Sequence, residues 1–139
     1  MRFFVDTNIW VFCLRGRSRE AWSRLNARRP DEIVLALQTF AELRLGIEKC
    51  ARPAQEETKL QAMIAPYAVV LPTLKTAACY ARVRADLEKR GQSISEQDLW
   101  VAASALVEGG IVVTNNVSEF ERIPGLSVED WTLAQTENP

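Results

Sequence analysis

Residues 3–10 read Phe-Phe-Val-Asp-Thr-Asn-Ile-Trp, FFVDTNIW, and the fold turns on why three polar residues interrupt this apolar run. RFFV, residues 2–5, reads as a short strand, and Ile9 to Leu14 begins a helix that Gly16 interrupts. Asp6 therefore stands at a strand-to-helix junction. A carboxylate set against a hydrophobic core is costly unless something compensates its charge. Two roles remain open for this carboxylate: it caps a helix, as Thr7 or Asn8 also could, or it holds a ligand.

Working outward, the pattern repeats. A second helix runs from about Ser18 to Arg28, with Ala21, Trp22 and Leu25 at helical spacing and Pro30 closing it. IVLAL, Ile33 to Leu37, is a continuous apolar run of strand length, as expected for a strand covered on both faces. Helices follow over Thr39–Cys50 and Pro53–Ile64, then a strand at Ala68–Leu71 and a long helix from Leu74 to Arg90 that Gly91 ends. A further helix spans Ser95–Glu108, stopped by Gly109-Gly110; IVVT is a fourth strand and LSVED a short fifth one. Strands alternating with helices imply a parallel sheet with helices on both faces. Ligands of such sheets sit beyond the carboxyl ends of the strands.

At 139 residues, with 47% apolar and 25% charged residues, the chain has the size and balance of one folded domain. The domain is expected over residues 1–134, with 135–139 as a short, dispensable tail. Its longest uninterrupted apolar run after the first, LWVAASALV, is too short to cross a bilayer, and no signal peptide is visible. Cys13, Cys50 and Cys79 are odd in number and widely spaced, which fits a reducing compartment and makes cytoplasm the expectation. The absence of histidine is more informative. It removes imidazole bases, Ser-His and Cys-His nucleophile pairs and histidine-ligated zinc, leaving carboxylates, lysine, hydroxyls or a hard metal ion for any chemistry. Net charge is -1, but unevenly spread: residues 1–30 carry seven Arg against Asp6 and Glu20, and residues 96–139 carry Arg122 against eight acids. The first segment suits phosphates and the last suits cations.

Asp6 has two counterparts. Glu42 in QTFAELRLG and Asp98 in SEQDLWVAA also lie at helix starts, and Thr39–Glu42 and Ser95–Asp98 both have the spacing of a capping box. Singly, each acid is explained by a cap worth about 1 kcal/mol. Jointly, a parallel sheet gathers their helix starts on one edge, where three carboxylates repel and need a cation. A site of oxygen ligands only, without His or Cys, selects Mg2+ or Mn2+ rather than zinc.

These residues resemble the PIN-domain ribonucleases, in particular the VapC-type toxins of toxin-antitoxin pairs. FFVDTNIW is similar to the opening strand motif, QTFAELRLGIEK to the second-acid helix, QSISEQDLWVAASAL to the third-acid helix and VVTNNVSEFERIPGLSVEDW to the closing motif, so the likeness covers nearly the whole chain. The resemblance implies a PIN-like three-layer α/β/α domain with a mostly parallel central sheet of about five strands. It makes Asp6, Glu42 and Asp98 catalytic acids, Asp6 and Asp98 ligands of Mg2+ (or Mn2+), and Thr7, Asn8, Thr114 and Asn116 supporting polar residues. Many PIN domains place an acid two residues after the threonine; this chain has Asn116 there and Glu119 three residues later, so either completes the site. One firmly held metal ion is expected.

The resemblance further implies a metal-dependent endoribonuclease that leaves 5'-phosphate and 3'-hydroxyl ends, inhibits translation and is neutralised by a cognate VapB-like antitoxin. A homodimer and a toxin-antitoxin hetero-oligomer, without membrane association, are expected. The closing motif is most similar to toxins that cut initiator tRNA in its anticodon stem-loop. Arg15, Arg17 and Arg19 are candidates to hold the RNA backbone. Trp10, Trp22, Trp100 and Trp131 are read as core or interface packing, with base stacking as the other reading. Two rivals remain: a catalytically weak PIN domain that binds RNA or antitoxin, and an aspartate-nucleophile phosphotransfer protein. The second wants an aspartate where this chain has Asn8.

Overall fold

The computed structural model describes residues 1–134 of the chain, so the expected tail at 135–139 lies outside the described residues. Five strands form one sheet: β1 (Phe3–Val5), β2 (Ile33–Ala36), β3 (Ala68–Val70), β4 (Ile111–Val113) and β5 (Ser127–Glu129). Their spatial order is β3-β2-β1-β4-β5, and all four pairings are parallel, a stricter arrangement than the mostly parallel sheet expected. The order places β1 at the centre, with Phe3 opposite both Ile33 and Ile111.

Alternation along β1 builds both cores. Phe3 and Val5 point to one face, where they pack with Ile9, Trp10 and Cys13 of α1 (Thr7–Leu14), Ala21 and Leu25 of α2 (Arg19–Asn26), Leu43 and Ile47 of α3 (Leu37–Lys49) and Leu60 of α4 (Pro53–Ile64). Phe4 points to the other, where it packs with Cys79, Val83 and Leu87 of α5 (Leu74–Lys89), with Leu99 to Ala105 of α6 (Glu96–Glu108) and with Phe120 of α7 (Val117–Phe120). A sheet covered on both faces explains why β1, β2 and most of β4 are apolar without interruption. The result is the expected three-layer α/β/α domain.

Gly109 and Gly110 join α6 to β4, each for its own reason. Gly109 ends the helix in the left-handed region, at φ 68°, which glycine enters without a Cβ clash. Gly110 lies against β1, where a Cβ would stand 2.8 Å from the Arg2 carbonyl oxygen and from the Phe4 ring. A side chain at 110 would push β4 away from β1 and with it Thr114 away from Asp6.

Four local expectations need correction. The first helix begins at Thr7, not Ile9, and of the caps the junction offers it is Asp6 that serves, its carboxylate accepting the Thr7 N–H at 2.8 Å. The third helix begins at Leu37, so Thr39 is a buried residue inside it and makes no capping box with Glu42. Leu37 accordingly belongs to the helix, not to the strand before it. The short helix α7 has no counterpart in the periodicity of the sequence, because four residues are too few to show it. On α2, Trp22 is 49% exposed, so it is not core. Trp10 and Trp131 are fully buried, and Trp100 stacks on Tyr80 with ring centroids 4.2 Å apart.

Among the described residues, no helix is long and apolar enough to cross a membrane.

Candidate active site

Asp6 follows the last residue of β1, and its backbone N–H continues the ladder to the Val113 carbonyl oxygen at 2.8 Å. Its carboxylate is 6% exposed at residue level and is held from two sides: Oδ1 by the Thr7 N–H, and Oδ2 by the Thr114 hydroxyl at 2.9 Å. Thr114, fully buried at the end of β4, accepts the Asn116 N–H on the same hydroxyl oxygen, also at 2.9 Å. The Asp6 carboxylate is thus held by the start of α1 and by the end of β4. The helix behind it is anchored by Trp10, whose indole N–H donates to the Val5 carbonyl oxygen at 3.0 Å.

Glu42 enters from α3. Since Thr39 does not cap with it, its carboxylate is free to reach across to α1, where the Thr7 hydroxyl donates to Oε1 at 3.2 Å. Asp98 enters from the first turn of α6, whose N-cap Ser95 accepts the Asp98 N–H at 3.2 Å. That is half of the expected capping box. Glu119 stands in the only turn of α7, half-buried, while Asn116 is the N-cap residue of α7 and makes no side-chain capping bond.

The electrostatics tie these four acids into one field. Burial raises the Asp6 carboxyl above its ordinary value against the bonds from Thr114 and Thr7, and Glu119 raises it further. Burial also raises Glu42; the Thr7 bond opposes this, and Asp6 adds to it. Asp98 is pushed up to about 7, first by burial and then by Asp6, against its bond to Ser95, with further repulsion from Glu119 and Glu42. The charge of Glu119 raises both Asp6 and Asp98, so of the two candidates for the fourth position Glu119 is the one that adds its charge to these acids. Asn116 contributes its backbone instead. Among the described residues none of the four acids has a lysine or arginine in ion-pair range, so their repulsion is uncompensated.

The acids act on one another through their charges rather than by direct contact. Among the described residues no three His, Cys, Asp or Glu side chains stand close enough to hold an ion directly. Mg2+ needs no such group of three, since it takes one or two carboxylates and keeps water in its other positions. The all-oxygen donor set excludes the sulfur and nitrogen ligands that zinc prefers. Asp6 and Asp98, whose charges repel most plainly, are the pair that could hold such an ion.

The remaining sequence candidates fall outside this group. Asn8 is exposed on α1, and Arg15, Arg17 and Arg19 are exposed on and around the loop joining α1 to α2. One residue escaped the sequence reading: Gln38, one helical turn before Glu42, whose enclosed carboxamide oxygen has no hydrogen-bond partner among the described residues. Its i, i+4 spacing from Glu42 was the available signal.

Comparison with known proteins agrees with the fold. The PIN domain family model matches residues 3–126. Ribonuclease VapC2 of Haemophilus influenzae is 34% identical over 131 residues, covering 94% of this chain and 98% of that protein. The tRNA(fMet)-specific endonuclease VapC of Salmonella typhimurium is 30% identical over 131 residues, again covering 94% of this chain and 98% of the relative. Among solved structures, VapBC2 of Rickettsia felis, bound to a DNA fragment from its promoter, superposes with a TM-score of 0.88 at 30% identity, covering 94% of this chain and 99% of the matched one.

Proposed function

The chain belongs to the PIN-domain family, among the VapC ribonucleases, and from that premise we propose that it is a Mg2+-dependent endoribonuclease toxin acting on tRNA. The observation that carries this reading is the group of Asp6, Glu42, Asp98 and Glu119 at the carboxyl edge of the sheet, uncompensated by any cation of the described chain. Asp6 and Asp98 would hold Mg2+, which when bound would supply positive charge for a phosphodiester and a water acidic enough to act as a nucleophile near neutral pH. Mn2+ has the same ligand preferences and is expected to substitute.

The chain's own residues do the rest. Thr7 and Thr114 hold the two Asp6 oxygens, so that the carboxylate does not have to be ordered when substrate arrives. Glu42, raised above its ordinary value and hydrogen-bonded to Thr7, is placed to accept a proton from the attacking water. Water adds to phosphorus, the bond from phosphorus to the 3'-oxygen breaks, and the leaving oxygen takes up a proton; the products carry a 5'-phosphate and a 3'-hydroxyl. Initiator tRNA, cut in its anticodon stem-loop, is the proposed substrate, supported by the name of the Salmonella relative and by the closing motif TNNVSEFERIPGLSVEDW. Loss of that tRNA would inhibit translation in the cytoplasm.

A VapB-like antitoxin is the proposed partner. An apolar groove between α1, α3 and α4, lined by Val11, Leu14, Leu43, Ile47 and Leu60, has Glu42 on its rim, so a segment lying in it ends at the acids. The exposed apolar residues Leu37, Val69, Leu71 and Leu74 beside the edge strand β3 support a homodimer within the hetero-oligomer.

The test is incubation of the purified protein with initiator tRNA. Cleavage with Mg2+ is expected to vanish in EDTA and to return when Mg2+ or Mn2+ is added back. Undiminished cleavage in EDTA would overturn the metal mechanism. No cleavage under any condition would favour a binding module without catalysis.

A further inference from the structure

Apart from Arg2, which pairs with Glu108, the arginines of the N-terminal segment divide into two sets. Arg24, Arg28 and Arg29 are held within the fold: Arg24 by Glu129 at 3.4 Å, Arg28 by Glu32 at 3.8 Å, and Arg29 by Asp31 at 3.1 Å. Arg24 and Arg28 also lie over buried rings, with the Arg28 guanidinium 4.4 Å from the Phe3 ring centroid. Arg15, Arg17 and Arg19 are exposed, and among the described residues no carboxylate stands in ion-pair range of them. The fold has used the first set and left the second for something else.

Trp22 shares a helix face with Arg19, the one member of the second set on α2. It lies three residues after Arg19 and four before Asn26, so the three side chains are surface neighbours on α2. The helix buries Ala21 and Leu25 on its inner side and leaves this indole 49% exposed, while Trp10 and Trp131 are wholly enclosed. Next to Arg19 on its other flank, a hollow of about 230 Å³ is lined by Arg19, Glu20, Ser23, Arg24 and Leu133. An exposed flat aromatic beside unpaired guanidiniums is the combination that holds single-stranded nucleic acid: the ring takes a base face and the cations take the backbone.

We propose that Trp22 and Arg19 on α2, with Arg17 in the loop just before it, form a holding platform for the single-stranded part of the RNA substrate, away from the catalytic acids. The proposal rests on the ribonuclease reading above and adds the surface that grips the substrate. A base stacks on Trp22 and adjacent phosphates lie against Arg17 and Arg19. The contacts are sequence-tolerant and made equally in ground and transition states, so their loss raises KM and leaves kcat in place.

The experiment measures binding of a fluorescein-labelled anticodon stem-loop RNA in EDTA, alongside tRNA cleavage in Mg2+, for wild type, Trp22→Ala, Trp22→Phe and Arg19→Gln. Trp22→Ala is expected to weaken binding about tenfold, as for one stacked base, and Trp22→Phe to recover most of it. Arg19→Gln is expected to lower the slope of log affinity against log salt by about 0.7, one single-strand phosphate contact. Both losses appear in KM. A wild type that binds and cleaves RNA while Trp22→Ala and Arg19→Gln match it in affinity and KM overturns the platform, leaves the ribonuclease reading standing and assigns the tryptophan to a protein contact. A wild type that neither binds nor cleaves RNA defeats the ribonuclease reading itself, and the platform with it.

Discussion

Asp98→Asn should lower RNA cleavage by about 10³-fold and, at the same time, make the metal-free protein more stable near neutral pH. The first effect follows from removing one of the two carboxylates placed to hold the ion. The second follows from the cost of the site. Burial, and then the charge of Asp6, push the Asp98 carboxyl from its ordinary 3.8 up to about 7, with Glu119 and Glu42 adding to the shift and Ser95 opposing it. An acid whose pKa is higher folded than unfolded binds more protons in the native state, so stability falls as pH rises. The native protein carries no such penalty below the unfolded value, loses stability between about pH 4 and pH 7, and pays in full above that window. Asn keeps the shape without the charge. Melting curves of the metal-free proteins should therefore coincide at about pH 4 and separate steadily towards pH 8, the variant melting higher. Added Mg2+ should narrow the gap by stabilising only the wild type. Coincident curves at pH 8 would contradict the account of the acids as mutually repelling.

Trp131→Ala should be the most damaging single change away from the acids, costing about 3–5 kcal/mol of a total near 5–15 kcal/mol. Trp131 is fully buried, its ring centroid lies 5.3 Å from that of Phe3, and its N–H donates to Glu129 at 3.1 Å. Arg24 adds a bond from its guanidinium to the Asp130 carbonyl oxygen at 3.3 Å, so this one indole fastens the end of the described chain to α2 and β1. A fall in Tm of about 10 °C or more is expected, with a smaller fall for Trp131→Phe. A fall of only about 2 °C would show that the segment is not part of the cooperative core.

Trp131 also illustrates what the sequence could not convey. It stands outside any helical or strand periodicity, so nothing local marks it as core; its burial comes from Phe3, at the other end of the chain. The elements with strong periodicity were legible: α4 and α5 begin where expected, the IVVT strand holds three of its four residues, and the short fifth strand lies inside LSVED. Errors gathered at helix starts, where capping chemistry has several solutions. Thr39-Phe40-Ala41-Glu42 has the spacing of a capping box, but β2 ends at Ala36 and the helix starts at once, burying Thr39 and releasing Glu42 towards Thr7. At Asp6 the two readings of the junction prove compatible: the same carboxylate caps α1 and faces the other acids. Types of residue at three helix starts were enough to suggest a shared site. That Thr114 would hold Asp6 from 108 positions away depended on β4 pairing with β1, a matter of sheet order that no short window contains.

The central claim is that Asp6 and Asp98, brought from different helices, hold one divalent ion. Electron paramagnetic resonance of Mn2+ titrated into the protein at about pH 8 tests it without RNA. Wild type is expected to take up one ion per chain, with Mg2+ in competition, while Asp6→Asn and Asp98→Asn each remain folded and lose that uptake. Equal Mn2+ uptake by wild type and both variants would contradict it.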